Sequence, residues 1–280
     1  MKVSIIGVGL IGGSLALSLK QAGLASQIIG VDKSAENLKK AIKLGIIDTS
    51  ADINEAVAHS DLIILAVPVN AIESLLPSIL NQVNQKQVVM EMGSTKQVIL
   101  DAINDHPNRG RLVASHPMAG TEYSGPEAAL ADLFTDKNMV FCDVTKTDTD
   151  AFEIGELVCE TLKMKPVFMH AKEHDLHAAY VSHISHITSF ALALTVLEKE
   201  KSQGRIFELA GGGFASTVRL AKSSPEMWVP IFKQNKKNVL EVLEEHIKQL
   251  QQIHDVLEEE DYDAMFKLIK QSNKIRRIIK

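Results

Sequence analysis

The chain has 280 residues, of which 45% are apolar and 23% charged, and a formal net charge of −5. This length suits two domains with cores of their own, the composition excludes a disordered chain, and the mildly acidic balance offers no basic field to a nucleic acid. Two distant cysteines, Cys142 and Cys159, give no disulfide framework, the longest apolar runs fall short of a membrane span, and the chain opens directly in a strand pattern, all of which point to a cytoplasmic protein with no membrane partner.

Lys2 to Ile6 reads as a short apolar strand that runs into Gly7-Val8-Gly9-Leu10-Ile11-Gly12. Ser14 to Gln21 follows as a helix closed by Gly23, and Gln27 to Val31 as a second strand ending in Asp32. This is the order that dinucleotide binding requires. Gly7 permits the tight turn, Gly9 lets the backbone approach a pyrophosphate, and Gly12 lets helix and strand pack closely, so that phosphates sit on the N–H groups of the first helical turn at Leu10 and Ile11. Asp32 stands where its carboxylate accepts from both ribose hydroxyls and repels a 2′-phosphate, which favours NAD. Lys33 beside it leaves NADP open.

Further short apolar strands are predicted at Leu62 to Val67, Gln87 to Met92, Leu112 to Ala114, Met139 to Asp143 and Pro166 to Met169, with helices such as Ile72 to Val83 and Lys96 to His106 between them. Strands without polar alternation, separated by helices, imply a Rossmann-type doubly wound, mostly parallel α/β sheet over residues 1–170. Ala66-Val67-Pro68 ends a strand at the expected cofactor face, and Val67 reads either as a contact of the nicotinamide ribose or simply as the end of a strand stopped by proline. Residues 171–280 read as an all-helical domain. Leu176 to Glu200 is too long and too apolar for a surface helix, so it is expected beneath the first domain or in the interface of a homodimer.

Polar groups gather after two strands and in a glycine-rich stretch: Gly93-Ser94-Thr95-Lys96, Ser115-His116-Pro117, and Gly211 to Arg219. His116, stiffened by Pro117, is expected above the carboxyl end of the sheet, where a base for alcohol oxidation belongs, because neutral imidazole titrates near the working pH. Ser94 is placed to fix its tautomer or to cap the following helix. Arg219 reads either as a carboxylate-binding guanidinium or as a surface arginine. Glu122 reads as its partner or as a helix N-terminal acid. His183 and His186, with His170, His174 and His177 upstream, invite a metal site, but without a nearby cysteine or a His-Glu-x-x-His pattern no metal is expected.

The motifs G-x-G-L-I-G-G-S, G-S-T-K, H-P-M-A-G-T-E, Ser182-His183-Ile184-Ser185-His186 and the stretch from Gly-Gly-Gly-Phe to Met227-Trp228 occur in the order found in the prephenate and arogenate dehydrogenase family, which the chain resembles over nearly its whole length. The resemblance implies an NAD-dependent oxidative decarboxylation of prephenate to 4-hydroxyphenylpyruvate in tyrosine biosynthesis. It makes His116 the catalytic histidine supported by Ser94, gives Arg219 a substrate carboxylate, and places His186 and Gly212 in the same pocket with Glu122 as a gate. Arogenate is the rival substrate, with Ser216 and Gly211 to Gly213 as candidates for reading the side-chain end. A hydroxyacid dehydrogenase with a catalytic lysine, which the histidine loop argues against, and a non-catalytic NAD-sensing dimer are the more distant readings. Tyrosine is expected to inhibit by competing with substrate.

Overall fold

In the computed structural model, which describes residues 1–278, the apolar runs lie side by side in one eight-stranded sheet. Its strands are β1 (Lys2–Ile6), β2 (Gln27–Val31), β3 (Thr49–Ser50), β4 (Leu62–Leu65), β5 (Val88–Glu91), β6 (Leu112–Pro117), β7 (Asn138–Cys142) and β8 (Lys165–Met169), in the order β3-β2-β1-β4-β5-β6-β7-β8. The pairs from β3 to β6 are parallel, β6 and β7 antiparallel, and β7 and β8 parallel. The order reverses between β1 and β4. Ligands of doubly wound sheets bind in the crevice outside the strand ends at this point.

Helices cover both faces. They are α1 (Leu10–Gln21), α2 (Ala35–Lys43), α3 (Ile53–Ala58), α4 (Val69–Gln82), α5 (Gln97–Asp101), α6 (Thr149–Thr161), α7 (Ala171–Ala178), α8 (Ile184–Glu200), α9 (Gly212–Val218), α10 (Pro225–Gln234), α11 (Lys236–Glu258) and α12 (Tyr262–Ser272). Alternate strand residues feed opposite cores, as the two-residue period of a strand requires. Val3, Ile5, Leu62, Ile64, Val88 and Met90 pack on one side with Leu15 and Leu19 of α1 and Val158 of α6. Ile6, Ile63, Leu65 and Val89 pack on the other with Ile72, Leu76 and Ile79 of α4, Ile99 of α5, Ala171 of α7, and Trp228 and Ile231 of α10. Each such side chain contributes on the order of 1.5–3 kcal/mol by leaving water.

Packing divides the described chain into two units, one from Met1 to Asn235 and the other from Lys236 onward. Helices α7 to α10 therefore fold with the sheet, and α11 and α12 pack on each other. Two local features depart from the sequence expectation. The short edge strand β3 arises from the pairing of Ile29 and Gly30 with Thr49 and Ser50, which lack the apolar run of an interior strand. Strand β6 continues to Pro117, because antiparallel β7 pairs with Ala114 to Pro117, and so His116 lies within the strand opposite Val140.

The stretch expected as one long apolar helix is continuous over Ala171–Glu200 and contains a π turn at Ala179–His183. Little of it is buried within the chain, and in α8 the buried residue is Ser189. By length and composition alone it is long and apolar enough to cross a membrane. Its first half, however, carries His174, Asp175 and His183, all buried and hydrogen-bonded within the first unit.

Candidate active site

The strand-to-helix turn after β1 has the geometry its glycines demand. Gly7 has φ of +96°, and a Cβ there would lie 2.5 Å from the Ala66 carbonyl oxygen and 2.7 Å from Val67 Cγ1, so Val67 flanks the turn. A Cβ on Gly12 would lie 1.9 Å from the Gly7 oxygen. On Gly9 it would meet nothing within 4 Å, and no side chain caps α1 there. The first N–H groups of α1, at Leu10 and Ile11, thus stand beside open space of the kind a pyrophosphate fills. Asp32 follows β2, and its carboxylate accepts the Val8 N–H at 3.1 Å and the Ser34 N–H at 2.9 Å, which fixes it beside the turn. These residues fit a dinucleotide.

His116, near the carboxyl end of β6, is buried. Its Nδ1 lies 2.8 Å from His174 Nε2, and His174 Nδ1 lies 2.8 Å from Asp175 Oδ1. The Asp175 carboxylate also accepts the Lys96 N–H at 2.7 Å and the Gln97 N–H at 2.9 Å, so it caps the short helix α5 from α7. Burial, with His174, Lys96 and His183 nearby, holds His116 well below the usual histidine range and therefore neutral.

The turn that carries Ser94 is fixed from several sides. The Lys96 ammonium and Glu91 form a fully buried ion pair, Gly93 N–H donates to Glu91 Oε2 at 2.9 Å, and Thr95 Oγ1 donates to Gln234 Oε1 at 2.6 Å. Ser94 is half-buried in this turn. The partner on His116 Nδ1 is His174, and the start of α5 is capped by Asp175.

The π turn brings His183 and His186 to the same region. Asn235 Nδ2 donates to the Asp175 carbonyl at 2.6 Å and to His183 Nδ1 at 3.1 Å, and burial lowers the pKa of His183 to about 4. His186 donates from Nδ1 to the Ser182 carbonyl at 3.1 Å and stacks on Trp228 with ring centroids 3.6 Å apart. Burial, assisted by the charge of Arg219, pulls its pKa down. Arg219, in the turn after α9, is 48% exposed and donates to Glu122 Oε2 at 2.8 Å. Gly212 opens α9 on an exposed surface, and Ser216 Oγ turns back onto the Gly213 carbonyl. Helix α9 and the Arg219 turn pack on α8, which bears His186.

The expected residues therefore fall into two neighbouring groups, a glycine turn with Asp32 and Val67, and a histidine cluster running from His116 to Arg219 and Glu122. Comparison with known proteins places the chain in a family. Residues 15–167 match the family described as "Prephenate dehydrogenase, nucleotide-binding domain", and residues 170–271 the one described as "Prephenate dehydrogenase, dimerization domain". The chain belongs to the prephenate dehydrogenase family.

Among its relatives in that family, a prephenate dehydrogenase of Bacillus subtilis is 32% identical over 277 residues, 98% of this chain and 75% of that protein. The structure is similar to that of prephenate dehydrogenase from Aquifex aeolicus in complex with hydroxyphenyl propionate and NAD+, with 31% identity, a TM-score of 0.89, and coverage of 100% of this chain and 99% of the other. It is also similar to arogenate dehydrogenase from Synechocystis, with 25% identity, a TM-score of 0.76 and 99% of each chain covered. Asp175, and the link of His174 to His116, escaped the sequence reading for a physical reason. His116 lies 58 residues from His174 and Lys96 lies 79 from Asp175, and the one local signal is the adjacent His-Asp pair in the helix that follows the last strand.

Proposed function

We propose that this prephenate dehydrogenase family member catalyses the NAD-dependent oxidative decarboxylation of prephenate to 4-hydroxyphenylpyruvate. The observation that carries the reading is the neutral, buried His116 at the carboxyl end of β6, wired through His174 to Asp175. A dinucleotide held by the Gly7–Gly12 turn and Asp32 would supply the acceptor for the hydride on the ring carbon that bears the hydroxyl. His116 takes the proton of that hydroxyl as the carbon–oxygen double bond forms. Loss of the ring carboxylate as CO2 then returns an electron pair to the ring, makes it aromatic and leaves a phenolate oxygen that takes the proton back from His116. Because aromatisation drives the reaction, the protein's work is to orient, exclude water and place the base.

The substrate is a dianion, and Arg219 supplies a planar, permanently charged partner for a carboxylate. Its bond to Glu122 is exchanged for that carboxylate on binding. His186 and the Gly212 turn line the same pocket, and Ser94 stands in the turn next to the base. Asp32 makes NAD the preferred cofactor, with Lys33 the residue that would admit NADP. Arogenate is the second reading, supported by the likeness to the Synechocystis enzyme. It requires the same chemistry with an amine at the side chain, where Ser216 and Gly211 to Gly213 are the groups that would discriminate.

The working enzyme is a homodimer in this reading. Helix α8 leaves Leu194 and Leu197 exposed, as is Leu209 beyond it, and the segment carrying them matches a dimerization domain. Residues 1–170 then bind the dinucleotide, and residues 171–280 supply substrate groups and the interface. Tyrosine, which shares the phenol ring and side-chain carboxylate of the product, competes at the active site. NADH formation with prephenate and with arogenate, each offered with NAD and with NADP, tests the proposal. Turnover with prephenate and NAD is expected, and its absence with prephenate would overturn the reading.

A further inference from the structure

The hydrogen-bond chain behind His116 has a direction that can be read from its far end. An ionised carboxylate can only accept, so the bond between Asp175 Oδ1 and His174 Nδ1, 2.8 Å long, must be donated by His174. A neutral His174 with its proton on Nδ1 carries a lone pair on Nε2. The 2.8 Å contact between that Nε2 and His116 Nδ1 must therefore be donated by His116. A neutral His116 with its proton on Nδ1 carries its lone pair on Nε2. Each tautomer follows from the one before it, and the starting point is Asp175.

Asp175 is itself held firmly. Its two oxygens accept three donors, the Lys96 and Gln97 N–H groups at the start of α5 and the His174 ring, and its backbone carbonyl accepts from Asn235. Asp175 and His174 are buried, so water does not compete for these bonds. The two imidazoles meet edge to face, with centroids 5.0 Å apart and planes at 70°. In this geometry an in-plane N–H of one ring points at a ring nitrogen of the other.

We propose that His174 and Asp175 are positioning residues for the reaction assigned above, which fix His116 in the tautomer whose Nε2 is free to take the substrate hydroxyl proton. The inference rests on the reading of His116 as the base. When Nε2 takes that proton, His116 becomes an imidazolium whose Nδ1–H still donates to His174. The new positive charge is thereby stabilised through His174 by the Asp175 carboxylate. Ser94 is not needed for this orientation.

Asp175→Asn tests the idea. With its amide oxygen in the place of Oδ2 it still accepts the Gln97 N–H, while its NH2 group, in the place of Oδ1, faces His174 Nδ1 and gives up the bond from the Lys96 N–H. His174 must now accept at Nδ1 and donate from Nε2, so His116 accepts at Nδ1 and carries its proton on Nε2. Nitrogen-15 NMR of the full chain labelled in histidine reads this directly, with the His116 signals assigned by their loss in His116→Asn. In the unsubstituted protein His116 is expected to be protonated on Nδ1, and in Asp175→Asn on Nε2. The kcat for prephenate falls about 10²- to 10⁴-fold, the range for loss of general-base catalysis, while KM stays unchanged. His174→Phe serves if Asp175→Asn fails to fold, since it leaves the bonds of Asp175 to Lys96 and Gln97 in place. It should release His116 into a mixture of tautomers and lower kcat.

An Nε2-protonated His116 in the unsubstituted protein, or a tautomer unmoved by either substitution, would overturn the relay. A tautomer that moves while turnover does not would uphold the relay and sink the assignment of His116 as base.

Discussion

The Lys96 ammonium and the Glu91 carboxylate meet inside the protein with both side chains at 0% exposure, directly beneath the turn that carries Ser94 and the start of α5. Removing water from two charges is costly, and the pair recovers that cost only while both partners remain. Lys96→Met leaves the Glu91 charge buried alone, and urea unfolding should show a loss of about 3–5 kcal/mol. The double variant Glu91→Leu with Lys96→Met should recover much of it. Equal losses in the single and double variants would mean that the charges are not coupled.

The glycine turn separates packing from ligand contact. Gly12→Ala places a methyl 1.9 Å from the Gly7 oxygen and should cost about 1–3 kcal/mol of stability or more, visible as a lower Tm. Gly9→Ala meets nothing, at a φ of −77° that alanine adopts freely, and should shift stability by no more than about 0.5 kcal/mol. Its methyl would occupy the space in front of α1, so dinucleotide binding followed by calorimetry should weaken markedly. Normal cofactor affinity in Gly9→Ala would move the pyrophosphate elsewhere.

As pH falls below 6.5, stability should fall first through histidine titration, before the carboxylates titrate. His183 has a folded pKa of about 4 against about 6.5 when unfolded, and His116 is lowered in the same direction. The unfolded chain therefore binds more protons between these values. The stabilisation is fully present above pH 6.5 and is lost as pH falls toward 4, by about 1.4 kcal/mol per pH unit for each such histidine. Urea midpoints measured from pH 7.5 to 4.5 should show this slope, and His183→Asn should flatten it. A flat profile in the unsubstituted protein would contradict the burial of neutral imidazoles.

Arg219 is half-exposed and already bonded to Glu122, so its contribution belongs to binding rather than to the fold. Arg219→Ala should raise KM for prephenate by about tenfold or more, the range of a charge-assisted hydrogen bond, with a smaller change in kcat and an unchanged Tm. Arg219→Lys should recover only part of the affinity, since a point charge does not reproduce the planar fork. A fall in kcat at constant KM would place Arg219 at the reacting carbon instead.

The parts of this protein that were legible in its sequence are local. The unit from β1 to Asp32 is written in consecutive residues, and the parallel strands announce themselves by unbroken apolar runs. What escaped depends on pairing across the chain. Residues 115 to 117 join β6 only because antiparallel β7 lies beside them, and the π turn at Ala179–His183 leaves no mark in the apolar spacing. Of the histidines that invite a metal site, His170 bonds Asp143, His174 lies between His116 and Asp175, His183 bonds Asn235, and His186 stacks on Trp228. The bond to His116 Nδ1 comes from His174 on α7, 58 residues away, a distance that no local motif spans.

If His116 is the base of an NAD-dependent oxidative decarboxylation, its loss must slow hydride transfer and CO2 release together. The most direct measurement is the yield of NADH and CO2 from prephenate and NAD, made in parallel with the unsubstituted protein and with His116→Asn, with NAD affinity measured in both. The account predicts equal amounts of NADH and CO2, and a rate at least about 10²-fold lower in His116→Asn with unchanged NAD binding. Comparable rates in the two proteins, or NADH without CO2, would contradict it.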